Sequence, residues 1–589
     1  MDRAWMRFYD KEEVDNIRYF EGSAYEMLST TCAKMPERRA LIYFHERFTY
    51  SRLLFEIDKA AEKLIEYGIK KGDVVLFSFP NSIPLIVMFY AVNKIGAIAS
   101  FLDPDASRGT VKNALLSNGC KALFCNGSLR DKLKGCLDDT NVKLVVFAEL
   151  GDYMKPFHKL ILAMTHLSYG DMDYFRRELP QVEGVKIVSY IDMVSTGFNP
   201  ETHFSKPVSR DEESVAIRFN RGSAAGEYKV ESFTDRAFNA AVPNVAVAFK
   251  LKDMQGKIAL TGIDNSYSVV MTMAFHSMLC SGVSVALLPL YTERRFTRAV
   301  FMFEPNIIIG YPNMFQDLYD SIRSSDKYTR KDMSFLDLAI SVGTGFNTTR
   351  RTTFNSFLAQ HNCGSEIQEM YGLTECLAVS SVNPQFHARS NSLGIPFPNI
   401  LMKIVDPKSL MELDVGKEGE ICICSPTLLK DIEGNPEQTA KILRKHRDGR
   451  IWLHTGDIGH IDENGFFYFD YTEKRLAKIR GVSVSLKAIE DVVKSVYGVE
   501  DVCVVDYCDD DGDSVLVAVV VPNDRYLFDN AKLSDLKEAI EHECELVLNE
   551  ASRPSEIEYR ASLPKAGLGV TDYKTLTKEV TDNHLKSAE

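Results

Sequence analysis

Helical and strand patterns alternate along the first 104 residues of the chain. Residues 47–69 carry apolar side chains at helical spacing and stop at Gly68, a residue that commonly ends a helix. Residues 71–82 follow as a strand with a polar turn, and residues 84–104 contain a second helix, a glycine stop and another strand. Because parallel strands need crossover helices of this kind, the order predicts an α/β fold with helix-covered β-sheets.

Two later changes of pattern divide the chain, which at 589 residues is too long for one ordinary domain. From about Gly416, short strands with polar turns indicate a β subdomain. After Glu473, a compact mixture of helices and strands begins. We therefore expect a large N-terminal domain over residues 1–473 and a small α+β domain over residues 474–589.

Charge and hydropathy exclude some functions. The net charge of -13 argues against general nucleic-acid binding, since a phosphate backbone needs a basic face. Residues 266–290 contain no charged side chain and are long enough to span a bilayer. However, Ser281 and Gly282 divide them, which favours a buried helix and a buried strand over a transmembrane segment. The charged N-terminus lacks the apolar core of a secretory signal.

The twelve cysteines form no CxxC pair. Cys422 and Cys424 stand two residues apart, which indicates one face of a strand rather than a metal knuckle. Without a secretory signal, reduced thiols in a cytoplasmic protein are the simplest interpretation.

Residues 219–234, FNRGSAAGEYKVESFT, have the outline of a phosphate-binding loop: small residues, two glycines and then Lys229. Arg221 and Glu227 stand where such a loop is expected to stay small or polar. Taken alone, the segment fits a working nucleotide site, a modified one, or a loop with only an outward similarity.

Three further motifs follow this loop in order: MYGLTEC at residues 370–376, WLHTGDIG at 452–459 and EKRLAKIRGVSVSLKAIE at 473–490. Together the four stretches resemble the acyl-adenylate-forming, AMP-binding superfamily, and the acyl-CoA synthetase branch in particular. The resemblance covers nearly the whole chain. It implies activation of a carboxylate by ATP to an acyl-adenylate, with release of pyrophosphate. A mobile C-terminal domain then rotates, and the acyl group passes to a thiol, usually that of CoA.

The resemblance also implies site residues. Thr374 would contact the α-phosphate, Glu375 would hold Mg²⁺, and Lys229 is the retained lysine of the phosphate loop. Asp457 would accept hydrogen bonds from both ribose hydroxyls, a role that suits a carboxylate. The other nucleotide-binding residues implied are Gly222, Ser223, Gly226, Gly343, Gly345, Tyr371 and Gly372. The acyl pocket would include Tyr267, Ser268 and Thr344, and the hinge would be Lys474.

Three departures from the family pattern affect the handling of ATP. The phosphate loop is one residue longer between its glycines, lacks the family threonines and carries Tyr228 in place of proline. Thr472 occupies the place of a ribose-binding arginine. Val570 replaces a lysine that bridges the carboxylate and the α-phosphate, and losing one cation there should cost on the order of several kcal/mol. Lys565 and Lys574 lie nearby in sequence, but neither occupies the matching position.

Two interpretations of function follow. The first is an acyl-CoA synthetase that uses ATP, Mg²⁺ and CoA to activate a small-molecule carboxylic acid, most similar to the medium- and long-chain fatty acid enzymes. The second is a catalytically impaired member that binds AMP, an acyl-adenylate or a partner without efficient adenylation. A variant of the first transfers the acyl group to a carrier protein instead of CoA. Asp235 also departs from the family, in which many members carry histidine.

Overall fold

The structure is a computed structural model of the 589-residue chain. The residues that it describes are 4–130, 133–158, 179–195, 206–222, 228–343, 348–472, 476–479, 482–508, 514–523, 526, 530–548, 552–565 and 571–587.

Within these residues, 27 strands form four sheets. In chain order they are β1 Arg39–Tyr43, β2 Glu46–Thr49, β3 Val74–Ser78, β4 Ile98–Phe101, β5 Ala122–Cys125, β6 Leu144–Phe147, β7 Lys186–Ser189, β8 Val215–Gly222, β9 Tyr228–Thr234, β10 Ile258–Thr261, β11 Ser284–Leu287, β12 Ile307–Gly310, β13 Leu338–Ser341, β14 Ile367–Tyr371, β15 Ser381–Val382, β16 Ser392–Pro396, β17 Leu401–Val405, β18 Gly419–Cys424, β19 Asp431–Ile432, β20 Leu443–Lys445, β21 Ile451–Ile461, β22 Phe467–Thr472, β23 Leu476–Ile479, β24 Val482–Ser485, β25 Val499–Cys508, β26 Ser514–Pro522 and β27 Glu556–Tyr559.

The α-helices of the described residues are α1 Lys11–Asp15, α2 Ala24–Lys34, α3 Tyr50–Glu66, α4 Ile83–Lys94, α5 Arg108–Ser117, α6 Leu133–Leu137, α7 Tyr190–Ser195, α8 Asp235–Ala248, α9 Met278–Cys280, α10 Glu293–Phe303, α11 Pro312–Arg323, α12 Thr348–Gln360, α13 Pro436–Ile442, α14 Leu486–Ser495, α15 Asn530–Val547 and α16 Tyr573–Ser587. Short 3₁₀ segments lie at Ala4–Phe8, Gly127–Leu129, Leu251–Met254 and Thr374–Cys376, and a π-helical segment at Val270–Ser277.

The first large sheet holds the phosphate-loop hairpin. Its strand order is β19-β9-β8-β4-β3-β5-β6-β7, and the strands from β8 to β7 pair in parallel. Strands β8 and β9 form an antiparallel hairpin at one side. Thr234 ends β9 and caps α8 by accepting the Ala237 N–H, so strand, loop, strand and helix follow one another without a break.

The second large sheet is mixed. Strands β11, β10, β12, β13 and β14 pair in parallel, and antiparallel strands extend the sheet from β14 through β15, β16, β22, β21 and β18 to β17. One apolar core contains side chains from both large sheets and their helices, among them Phe77 and Ile308. These observations confirm the predicted α/β fold class and its short-stranded β region.

The C-terminal residues form smaller units. Strands β23 and β24 make a two-stranded sheet, and β25, β26 and β27 make a three-stranded one. Helix α14 presents Ile489 and Val493 to an apolar cluster shared with Val504 and Ala518. The domain boundary between residues 473 and 474 stays a prediction, because 473–475 lie outside the described residues.

Residues 266–290 fold as the helix-then-strand alternative predicts. Val270–Ser277 is a buried π-helical segment that continues into α9, and β11 follows after Gly282. No helix within the described residues is both long and apolar enough to cross a membrane.

Candidate active site

The carboxyl ends of neighbouring parallel strands bring the candidate residues together. Strands β12, β13 and β14 pair in parallel, so the segments after Gly310, Ser341 and Tyr371 lie at one edge of the sheet. This edge is where open α/β sheets commonly bind ligands. Two positions at this edge require glycine because of the local backbone geometry. Gly343 has a φ of +94°, and a Cβ at Gly372 would lie 2.3 Å from the backbone oxygen of Ala378.

A short hydrogen bond joins two of the predicted nucleotide-binding residues. The Tyr371 hydroxyl donates to Oδ2 of Asp457 over 2.6 Å, although the residues are 86 positions apart in sequence. Burial, followed by the charge of Asp457, raises the pKa of Tyr371 well above its ordinary value. The hydroxyl therefore remains a donor that orients the carboxylate. Thr472 lies directly opposite Asp457 in the β21–β22 register.

Glu420 supports the turn that presents Asp457. Its Oε1 accepts the Gly456 N–H over 3.0 Å, and its Oε2 lies 2.7 Å from Nδ1 of His454. Burial opposes ionisation of Glu420, but these hydrogen bonds outweigh it and lower the pKa of the carboxyl. The Thr455 hydroxyl also accepts the Asp457 N–H over 3.0 Å. The turn is thus held by side chains on both sides.

Glu231, which the sequence analysis did not single out, faces the predicted metal ligand Glu375. Glu231 lies on β9 and is 1% exposed. Burial and then the neighbouring charge of Glu375 raise its pKa to about 8, while Arg221 and Lys229 act in the opposite direction. Oε2 of both glutamates is buried and has no hydrogen-bond partner within the described residues. Two neighbouring carboxylates, each with a buried and unused acceptor, match the donor set of a divalent cation.

The signal for Glu231 was present in the sequence. Lys229 and Glu231 are two residues apart on a strand and therefore share a face. Pairing of β9 with β19, together with the Leu429 N–H that donates to the Glu375 backbone oxygen over 2.8 Å, brings that face to the segment after β14. The alternation alone could not reveal which face meets Glu375.

The phosphate loop itself is described only at its two strands. Gly222 ends β8, whereas Ser223 and Gly226 lie outside the described residues. Arg221 is exposed and pairs directly with Lys229 across the hairpin. The Tyr228 hydroxyl donates to Oδ1 of Asn220 over 2.6 Å. Tyr228 therefore replaces the family proline with a specific anchor for the hairpin.

The acyl-pocket prediction concerns aromatic side chains near Gly343. Tyr267 is half-buried and makes an edge-to-face contact with Tyr311, with ring centroids 6.1 Å apart, and Ser268 is buried. The Tyr311 hydroxyl is buried without a hydrogen-bond partner within the described residues. Nearby, burial raises the pKa of Asp264 to about 7 despite hydrogen bonds from Ser266. Thr344 and Gly345 lie outside the described residues.

Four further residues singled out from the sequence either lie outside the described residues or are paired elsewhere. Lys474 and Val570 lie outside the described residues. Lys565 forms an ion pair with Asp501 over 3.3 Å, so its ammonium is engaged elsewhere. Asp235 begins α8, accepts the Ala24 N–H and pairs with Arg210, which makes it a structural residue of the N-terminal sheet.

Two family models match the chain. The model of the AMP-binding enzyme family matches residues 28–160 and 236–431, and that of the AMP-binding enzyme C-terminal domain matches residues 488–569. The first match leaves out residues 161–235, which include the phosphate-loop segment.

Similar proteins extend over almost the whole chain. A long-chain-fatty-acid–CoA ligase of Salmonella typhimurium is 24% identical over 99% of this chain and 98% of its own. The Bacillus subtilis protein of the same name is 22% identical over 99% of each chain. ATP-bound MatB from Rhodopseudomonas palustris has a TM-score of 0.74 at 18% identity, covering 95% of this chain and 99% of its own.

The fold is that of adenylate-forming enzymes. The chain belongs to the AMP-binding enzyme family, within its acyl-CoA synthetase branch. The family resemblance deduced from the four sequence motifs is thereby confirmed.

Proposed function

We propose that the protein activates a fatty acid with ATP and transfers the acyl group to CoA. The hydrogen bond between Tyr371 and Asp457, beside the Thr374–Cys376 turn, is the observation that carries this proposal. It joins two motifs from distant parts of the chain into one AMP-binding surface. The choice of a long-chain fatty acid rests on the names of the full-length relatives.

The reaction has two steps. A carboxylate oxygen attacks the α-phosphorus of ATP, which forms an acyl-adenylate and expels pyrophosphate. The CoA thiol then attacks the acyl carbon, so the thioester bond forms, AMP leaves and the thiol proton passes to solvent. Carboxylates are poor electrophiles, and AMP supplies the leaving group that the second step requires.

This chain's own residues would divide the binding work. Asp457, oriented by Tyr371, accepts hydrogen bonds from the ribose hydroxyls, and Tyr371 flanks the adenine. Thr374 donates to the α-phosphate. Lys229 and Arg221 are opposite each other in the β8–β9 register, and each would provide a cation at the mouth of the phosphate loop. The small residues 222–226 and 343–345 would border the phosphates and the adenine.

Glu375 and Glu231 would hold the divalent cation that accompanies ATP. Their buried Oε2 atoms without partners fit hard oxygen-ligand chemistry, as Mg²⁺ prefers. When bound, such an ion neutralises phosphate charge during attack by the carboxylate. A bound cation would stabilise the ionised form of Glu231, whose pKa is raised to about 8 without it. The second negative charge would then favour binding of ATP with the cation over binding of ATP alone.

A second candidate function is binding of AMP or an acyl-adenylate without efficient adenylation. The ion pair of Lys565 with Asp501 supports it, since this lysine is not poised to replace the family lysine lost at Val570. The first candidate requires the division into domains 1–473 and 474–589, with a hinge at Lys474. Thioester formation depends on rotation of the C-terminal domain about this hinge.

The acceptor and the location follow from the same proposal. CoA is preferred over a carrier protein because the relatives are named as CoA ligases. A reducing compartment such as the cytoplasm is supported by the eleven cysteines whose side chains the structure describes, which form no disulfide.

The test measures pyrophosphate release and thioester formation with ATP, Mg²⁺, CoA and a panel of fatty acids. Chain lengths of about 8 to 18 carbons cover the medium and long classes, which a hydrophobic pocket can distinguish. The wild type and Val570→Lys are compared, with Val570→Met as a control of similar size. We expect adenylation in the wild type and a gain of about 100-fold in Val570→Lys.

The outcomes separate the two candidates. AMP binding without pyrophosphate release in the wild type, followed by release in Val570→Lys, supports the impaired member. Failure of both proteins to release pyrophosphate with every acid excludes the acyl-CoA synthetase function.

A further inference from the structure

Three side chains of the kinds that bind transition metals converge behind the turn that presents Asp457. Cys422 on β18 lies directly opposite His454 on β21, and His446 lies in the hairpin between β20 and β21. One ligand atom from each lies within 4.8 Å of the other two. The exposed fractions are 0% for Cys422, 8% for His446 and 5% for His454. The cluster is thus enclosed on strands and a tight hairpin.

Glu420 fixes the orientation of one histidine. Nδ1 of His454 lies 2.7 Å from Oε2 of Glu420. A carboxylate can only accept, so Nδ1 carries the proton and the neutral ring presents a lone pair at Nε2. A carboxylate that accepts from the far ring nitrogen is the usual support of a metal-bound histidine.

The second histidine points to the same place. Nε2 of His446 lies 2.9 Å from Nε2 of His454. Nδ1 of His446 has no hydrogen-bond partner within the described residues, so no protein contact there fixes its tautomer. The two Nε2 atoms therefore either share one proton in a hydrogen bond or both offer lone pairs to a cation.

The thiol of Cys422 favours a bound cation over a hydrogen bond between the two histidines. Its Sγ and one ring nitrogen of each histidine lie within 4.8 Å of one another, and its distance to Nδ1 of His454, the nitrogen that faces Glu420, is 3.6 Å. Zinc bonds of about 2.0 Å to nitrogen and about 2.3 Å to sulfur imply ligand-to-ligand separations of about 3.3–3.6 Å in a tetrahedral site, so the three ligand atoms would move closer together by about 1 Å on binding one ion. A hydrogen-bonded histidine pair needs no thiol beside it, whereas cysteine and histidine are the usual ligands of zinc.

We propose that Cys422, His446 and His454 bind one transition-metal ion of the zinc class, with Glu420 positioning His454. Binding forms one sulfur–metal bond and two nitrogen–metal bonds and releases the thiol proton of Cys422 to solvent. The thiolate and the Glu420 carboxylate together balance the two charges of the ion. Three protein ligands leave a fourth position for water. Entry is through the exposed hairpin residues 447–450.

The position of the site gives the ion a structural role. Glu420 bonds both His454 and the Gly456 N–H, so one carboxylate connects the metal ligands to the turn before Asp457. An ion there would tie β18, the hairpin and this turn together. The proposal does not depend on the substrate, and it stands or falls separately from the acyl-CoA synthetase proposal.

The experiment uses the full-length, reduced protein after removal of metals with a chelator. Titration with Co²⁺ is expected to give one equivalent of binding, with tetrahedral ligand-field bands and a thiolate-to-cobalt charge-transfer band. Zn²⁺ should displace the Co²⁺ with the same stoichiometry and raise the Tm. Cys422→Ser should abolish the charge-transfer band, whereas Cys424→Ser, two residues away on the same strand, should retain it.

Two further variants separate ligand loss from misfolding. His446→Gln, in the hairpin, should weaken Co²⁺ binding by about 100-fold, and Glu420→Gln by about tenfold. His460→Gln on the same strand as His454 is the matched control and should bind as the wild type does. Absence of saturable Co²⁺ and Zn²⁺ binding to folded wild type overturns the proposal. So does a charge-transfer band that survives Cys422→Ser, or binding that survives His446→Gln in a protein with unchanged circular dichroism.

Discussion

The side of the site assigned to AMP and the side assigned to the outer phosphates are built differently. On the AMP side, Tyr371 and Asp457 share a short, partly buried hydrogen bond, and Glu420 supports the turn before Asp457. On the phosphate side, Glu231 and Glu375 face each other with buried oxygens that lack partners within the described residues. The AMP-binding family match also ends at residue 160 and resumes at 236. We therefore expect recognition of AMP and activation by ATP to depend on separate sets of residues in this chain.

The largest effect should come from Asp457. Asp457→Ala removes the carboxylate that accepts hydrogen bonds from the ribose hydroxyls, and it leaves the Tyr371 hydroxyl without this acceptor. Two charge-assisted hydrogen bonds are lost, so the Kd for AMP should rise about 100-fold. Isothermal titration calorimetry measures it, with Asp470→Ala on the neighbouring strand as the control. Unchanged affinity for AMP in a folded Asp457→Ala protein would show that Asp457 does not bind AMP, and the contrast between the two sides would fail.

A second prediction concerns the acyl side, where Asp264 has a pKa raised to about 7. The folded state favours the protonated acid, so this contribution to stability is complete below about pH 4 and is lost as the pH rises to about 7. Asp264→Asn should be close to the wild type in stability at pH 4 and more stable by about 2 kcal/mol at pH 8.

Urea denaturation at several pH values measures this difference, with the exposed Asp253→Asn as the control. A stability difference that stays constant with pH would show that Asp264 is ionised at no cost. The acyl side would then resemble the AMP side in having its charges paired.

The third prediction addresses Glu231. Glu231→Gln removes one negative ligand while keeping the shape of the side chain, so the affinity for Mn²⁺ in the presence of ATP should fall about tenfold. Affinity for AMP without metal should stay the same. Electron paramagnetic resonance of free Mn²⁺ gives the measurement, and the exposed Glu213→Gln is the control. Equal or tighter Mn²⁺ binding in Glu231→Gln would assign the cation to Glu375 alone.

The smallest expected effect is at Tyr228. Tyr228→Phe removes only the hydroxyl that donates to Asn220, which should lower the free energy of unfolding by about 1 kcal/mol. Chemical denaturation measures it, and Tyr497→Phe at an exposed position is the control. No loss of stability would mean that Tyr228 does not anchor the hairpin. The replacement of the family proline would then weaken the phosphate loop without a structural gain.

Much of the molecule was predictable from local pattern. The alternation between residues 47 and 104 predicts helix-covered parallel strands, and β3 and β4 pair in parallel as expected. The same local signals favour a helix and a strand over a membrane span in residues 266–290. The motifs MYGLTE and HTGD predict that Tyr371 and Asp457 serve one nucleotide, although nothing in either motif gives the 2.6 Å contact between them.

What the sequence determined by itself is therefore the periodicity, the motif order and the family, because these depend on residues that are neighbours along the chain. Only the tertiary structure decided that Glu231 meets Glu375 and that Cys422, His446 and His454 converge. Glu231 is far from Glu375 in sequence, and Cys422 is far from His454, so their spacing contains no signal of contact. The pairing of β9 with β19 brings Glu231 to the segment after β14, and the register of β18 against β21 places Cys422 opposite His454.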